Sequence, residues 1–286
     1  MYGLLLLSVL LMTANTALTK LFQRSLTFRI SGMAMYNLIN ALIACVYFLV
    51  AAGFRIRVNS LTLVYAFVYA VIICVNLSAQ ILAMSWVPVP VTTLMSVAGG
   101  VLIPAVFGLV YYREPLSLGL VLSVALTLGA TVLPLWDGLG KVSFRGAAAC
   151  LVMFFLGGAS VVLVQLYARA GGVCDSQSFF FLTNAVIAVL CLLLLLGLRQ
   201  PPGQLLGIFS PRQLGMIAGK TALANICSML QVPILRQMAA STYAVLNSSL
   251  SLLASVALSA FVFREKQTRR SIAAVLLAIA ALLANS

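Results

Sequence analysis

The chain has 286 residues, 63% hydrophobic and 7% charged, with a formal net charge of +13. Soluble domains carry about a quarter charged residues, so this composition excludes a water-soluble globular protein. It equally excludes a disordered chain, which is poor in apolar residues.

Taken in chain order, the apolar residues fall into ten blocks: 2–19, 33–53, 61–85, 91–111, 117–135, 146–168, 178–198, 213–235, 243–263 and 271–284. Most approach the ~20 residues that a helix needs to cross a bilayer core. Lys20 and Arg24 follow the first block, whereas a cleavable signal places its basic residues first. The polar stretches 136–145 and 199–212 read as ordinary connections, not as a second soluble domain. The pattern predicts an all-α membrane protein with ten transmembrane helices.

The six cysteines have no CxxC spacing, there is no His, and the acids number four: Glu114, Asp137, Asp175 and Glu265. Packing thiols are expected, with no metal site and no cofactor. No acid–base pair or nucleophile–base set stands out, so an enzyme is not expected. The basic residues sit in short loops between blocks, where they meet anionic lipid headgroups and fix topology. Membrane lipids are therefore the expected macroscopic partner, and nucleic acid is not.

Within the eighth block, "GMIAGKTALANICSML" (215–230) nearly spells a phosphate-binding loop. Such a loop needs four residues between its glycines and a preceding strand; here there are three, inside one apolar block. Gly215 and Gly219 instead predict a face where two membrane helices approach closely. Lys220 is the only Lys, Arg, Asp or Glu well inside a block. A Lys at mid-bilayer costs on the order of 2.5–3.5 kcal/mol on insertion scales. Two readings stand: a charge facing a cavity or ligand, or an ammonium that bends back to the interface.

The two halves resemble each other. Shifted by 151 residues, "FGLVYYREPLS" (107–117) falls on "LSAFVFREKQT" (258–268), and Gln80 falls on Gln231. A shift of 147 sets "MYNLINALIAC" (35–45) on "LTNAVIAVLC" (182–191), matching Asn37 with Asn184; a shift of 145 sets "LFQR" (21–24) on "LYAR" (166–169). Five spans per copy is odd, so the second copy enters the membrane from the opposite side. Two inverted five-helix repeats, 1–140 and 141–286, then form one unit with a midplane site between them, as in secondary transporters.

The segment "LIPAVFGLVYYREPLSLGLVLSVALTLGATVL" (102–133) resembles the end of an EamA-type repeat of the drug/metabolite transporter superfamily, through Pro104, Phe107, Glu114 and Gly129. "FVFREKQTRRSIAAVLLAIAALLA" (261–284) resembles its second copy more weakly. The resemblance implies ten helices, two five-helix repeats, a small organic solute and a multi-pass place in the bacterial inner (plasma) membrane. "FLTN" (181–184) and "AVLNS" (244–248) are similar to the FYNN and GALNK motifs of the nucleotide-sugar transporter branch, with Asn184 and Asn247 matched and Ser248 where that motif has Lys. The superfamily's small multidrug exporters carry a carboxylate in the first helix; here that helix offers Thr13, Asn15 and Thr16.

The expected function is a uniporter or exchanger for a small polar metabolite, acting as a monomer or homodimer. Lys220 favours an anionic or zwitterionic solute. The candidate substrate-binding residues are Lys220, Asn184, Asn247, Gln80, Gln231, Asn37, Asn225 and Tyr243. Each could instead tie two helices together, as polar groups in membrane helices do. The rival function is a lipid-linked-sugar flippase or a structural membrane subunit. Loops after the odd-numbered blocks carry eleven Lys and Arg against five in the others. That bias puts both termini outside, whereas the family resemblance implies both inside.

Overall fold

A computed structural model of the chain describes residues 2–23, 30–87, 89–114, 117–133, 144–170, 175–198, 210–261 and 269–284. Among them are ten α-helices and no strand: α1 (Tyr2–Gln23), α2 (Ile30–Ala51), α3 (Ser60–Trp86), α4 (Val89–Tyr111), α5 (Leu118–Val132), α6 (Phe144–Arg169), α7 (Ser176–Gly197), α8 (Pro211–Gln237), α9 (Ala240–Phe261) and α10 (Arg269–Ala284). Four stretches, Ala34–Ala51, Ser60–Ala79, Phe144–Arg169 and Ser176–Gly197, are long and apolar enough to cross a membrane. The chain thus has the character of a membrane protein. Shorter apolar stretches lie in α1, α4, α5 and α10.

Local chemistry sets several ends. Ser117 caps α5 through the Leu120 amide, and Asp175 caps α7 through the Gln177 amide. Ser210 and Gln213 form a reciprocal capping box at α8, with Pro211 in the first turn where its missing N–H costs nothing. After α2 the chain reverses at Gly53, whose φ of 58° suits a residue without Cβ.

Side-chain contacts gather the helix ends. Arg57, just after α2, donates its amide to Ser178 at the start of α7, and Thr62 at the start of α3 meets Tyr167 at the end of α6 (3.4 Å). Glu114, just after α4, accepts from Ser241 at the start of α9. These contacts bring the starts of α3, α7 and α9 to one end, called here the near end, with the ends of α2, α4 and α6.

Packing is mostly between the halves. The main pairs are α2 with α7, α4 with α6, α3 with α6, α1 with α8 and α5 with α10. Most pairs reappear when each helix is exchanged for the one five places away: α3–α6 becomes α8–α1, α4–α6 becomes α9–α1, and α3–α7 becomes α8–α2. Partners five places apart run antiparallel. Phe48 late in α2 stacks on Phe180 early in α7, at 5.5 Å, and the start of α5 meets the end of α10 at Gly119 and Ala284.

The core is aromatic at the near end, where Tyr167 stacks on Phe179 at 4.3 Å among Phe48, Phe180 and Tyr243. The outside is apolar: Val110 is 75% exposed and Leu193 58%. That inversion of the soluble-protein pattern suits a lipid-facing surface.

The expected close approach at Gly215 and Gly219 is not found, because a Cβ at either would meet open space. Their helix presents that side outward, and the close crossing lies elsewhere. A Cβ on Gly99 of α4 would stand 2.1 Å from the Phe154 carbonyl oxygen, and one on Gly158 of α6 would stand 2.4 Å from the Gly99 carbonyl. Gly158→Val should therefore lower the thermal midpoint of the detergent-solubilised protein, since overpacking costs typically ~1–3 kcal/mol. Gly219→Ala should hold or raise it, because Gly in a helix interior is about 1 kcal/mol less favourable than Ala. A Gly158→Val protein as stable as its parent would contradict the crossing.

Candidate functional site

The helix that carries Lys220 is α8, with Thr221, Asn225, Ser228 and Gln231 along it. It is absent from the apolar stretches of membrane-crossing composition. Lys220 lies nine residues past Pro211, roughly 14 Å along the axis at about 1.5 Å per residue. Its ammonium donates to the Tyr36 hydroxyl on α2 and lies 4.9 Å from the centre of the Tyr36 ring. The side chain leans toward the far end of the bundle and stops on this phenol. Among the described residues no carboxylate reaches it: Glu114 and Asp175 both sit at the near end.

The next residue extends the seam. Thr221 shares its hydroxyl between Asn40 on α2 and the Ile217 carbonyl at 2.7 Å. Tyr36 and Asn40 are four residues apart, so both face α8 from one side of α2. Asn225, one turn beyond Thr221, is 6% exposed, and its Nδ2 has no hydrogen-bond partner among the described residues. The same holds for Asn76 Oδ1 on α3. An unpaired polar group in a dry interior costs about 1–3 kcal/mol, so these atoms point to a guest or water.

The other predicted residues are placed as follows. Asn37 lies half-buried on α2 beside Tyr36. Asn184 donates one Nδ2–H to the Phe180 carbonyl of its own helix at 2.7 Å. Gln231 on α8 and Tyr243 on α9 lie near each other. Asn247 is half-buried one turn beyond Tyr243. The side chain of Gln80 lies outside the described residues, as do Glu265 and Pro88.

Of the predicted residues, Lys220 meets α2 in the far half of α8, and Gln231 lies eleven residues, roughly 16 Å, farther along the same helix, near Tyr243 of α9. Tyr36, Asn40 and Thr221 were not among the sequence candidates. The four-residue spacing of Tyr36 and Asn40 was a readable sign of a shared face, but nothing in the sequence said which helix it would meet.

A cavity of about 270 Å³ opens elsewhere, at the near end, lined by Asp175, Ser176, Gln177, Met229, Val232, Pro233 and Arg236. It does not touch Lys220. Around it, Arg236 donates to the Ala168 carbonyl and Arg169 to the Met238 carbonyl, while the Arg169 guanidinium lies over the Tyr112 ring at 4.1 Å. The cavity opens between these contacts and the start of α7, apart from Lys220.

No protein-family model matches the chain, and no curated protein does. Among solved structures, 28 chains match. One is a crystal structure of a protein with 15% sequence identity and a TM-score of 0.72, covering 99% of this chain and 93% of its own. At that identity the likeness shows a shared fold.

Proposed function

We propose that the chain is a secondary transporter, a uniporter or exchanger of the drug/metabolite type, that moves a small anionic or zwitterionic metabolite by alternating access. The observation that carries this reading is Lys220. It sits deep in a helix, bonded to a phenol, and among the described residues no carboxylate reaches it; Asn225, five residues farther along the same helix, has an Nδ2 with no hydrogen-bond partner among them. A cation with no carboxylate partner among the described residues, on the same helix as an amide N–H without an acceptor among them, suits an oxyanion such as a carboxylate or phosphate.

The contact pattern supports two inverted five-helix repeats and ten membrane spans. Corresponding helices meet as antiparallel partners, and most of the cross-half contacts recur when the halves are exchanged. A pseudo-two-fold of this kind makes a closure at one end available at the other, which is the basis of alternating access. The EamA-type resemblance of 102–133 agrees with it, and a bacterial inner membrane is the matching location.

In liposomes the purified protein should take up some organic anion saturably, with uptake stimulated by the same solute loaded inside. Lys220→Met should reduce that uptake about tenfold or more, since a hydrogen bond to a charged group contributes roughly 1.5–3 kcal/mol. Undiminished uptake of every anion by that variant would remove Lys220 from the site.

Asn225→Leu separates binding from structure. Replacing an unsatisfied buried amide with an apolar group of similar size should raise the thermal midpoint while weakening anion uptake. A lowered midpoint with normal uptake would mean that Asn225 is a structural tie.

A further inference from the structure

At the near end the short turn between α8 and α9 lies against the ends of α4 and α6. Arg169, the last residue of α6, donates Nη2–H to the carbonyl of Met238 in that turn at 2.9 Å. Arg236, one residue before the end of α8, returns the contact by donating Nε–H to the Ala168 carbonyl at 3.2 Å. On the other side of the turn, Ser241 donates its hydroxyl to Glu114.

Glu114 is aimed there by its own backbone. Arg113 takes a left-handed φ of 52°, uncommon for a residue with a Cβ. The chain then folds back so that the Glu114 amide donates to the Gly108 carbonyl at 3.1 Å. A Cβ on Gly108 would stand 2.5 Å from the Glu114 carboxylate, so that glycine makes room for the acid.

One turn beneath Arg169 on the same side of α6 lies Gln165. It is 0% exposed, and both of its amide atoms lack a hydrogen-bond partner among the described residues. A fully buried amide with nothing to bond is out of place in a permanent core. It is in place under a cover that lifts.

We propose that Arg169 and Glu114, gripping the α8–α9 turn through the Met238 carbonyl and Ser241, form a latch that shuts the near-end mouth of the transport path. Gln165 is the polar side chain that the open latch presents to an incoming solute. This rests on the transporter reading, because the latch controls access to the site on α8. The contacts suit a reversible closure. They join side chains to a carbonyl and a hydroxyl, groups that water can replace. The unsatisfied Gln165 raises the energy of the closed state and gains hydration in the open one, so the two states are drawn toward balance.

The test reads accessibility, not transport. In a chain freed of its six native cysteines, Gln165→Cys reports the latch through its rate of reaction with a membrane-impermeant maleimide in sealed vesicles. With the latch intact, labelling should be slow. Adding Ser241→Ala, which removes a single oxygen, or Arg169→Gln should speed labelling at least fivefold, from the near-end face of the membrane alone. Ser241→Ala is mild enough to keep the fold, and an unchanged thermal midpoint verifies this.

Equal labelling rates in the parent and in both variants would overturn the latch, as would acceleration from both faces. Accelerated labelling in a protein that transports no anion would keep the latch and sink the transporter reading. Transport with labelling indifferent to these residues would do the reverse.

Discussion

An ammonium inside an apolar bundle has few ways to be tolerated, and the neighbourhood of Lys220 is organised around that constraint. In apolar surroundings such a charge needs a partner or a wet space. The described residues supply a phenol, Tyr36, and, on the adjoining face of the helix, the Asn40–Thr221 contact. Neither neutralises the charge as a carboxylate would. The helix that bears it is the polar one of the set, and the apolar surface that lipid requires is provided elsewhere, on α2, α3, α6 and α7.

Where the halves interlock, glycine decides how near the backbones come. At Gly99 and Gly158 the crossing of α4 and α6 leaves no room for a methyl group. That crossing ties the two halves together, and the same α6 continues to Gln165 and Arg169 at the near end. In the proposed latch the close-packed α4–α6 pair is the side against which the α8–α9 turn closes. The helix with Lys220 runs directly into the turn with Met238, so in the proposed transporter occupancy of the site and closure of the mouth would share a lever.

Much of the architecture was legible in the sequence. The ten apolar blocks match the ten helices to within four residues at each end, because the length of an apolar run is a property of the chain alone. Which faces meet is a property of the fold, and there the sequence misled or was silent. Gly215 and Gly219 have the spacing of a close-packed face yet look outward, while Gly99 and Gly158, with no such spacing between them, make the contact. Asn184 carried a motif resemblance, but that one of its amide N–H groups bonds the Phe180 carbonyl of its own helix was not readable. Lys220 stood out as a lone charge, whereas Tyr36 and Asn40 are ordinary until α8 lies against them. Glu114 could be matched to its repeat counterpart, but its reach to Ser241 depends on the left-handed turn at Arg113.

The central claim is that the two five-helix halves pass through the membrane in opposite senses, and a two-sided labelling experiment tests it most directly. In a cysteine-free chain, single cysteines at Gly3, at the start of α1, and at Phe144, at the start of α6, are both exposed positions. Labelled with a membrane-impermeant maleimide in right-side-out and inverted vesicles, they should react from opposite faces. That result also settles which way the ends of the chain point. Reaction of both from the same face would mean that the halves are threaded alike, and the transporter account would fail.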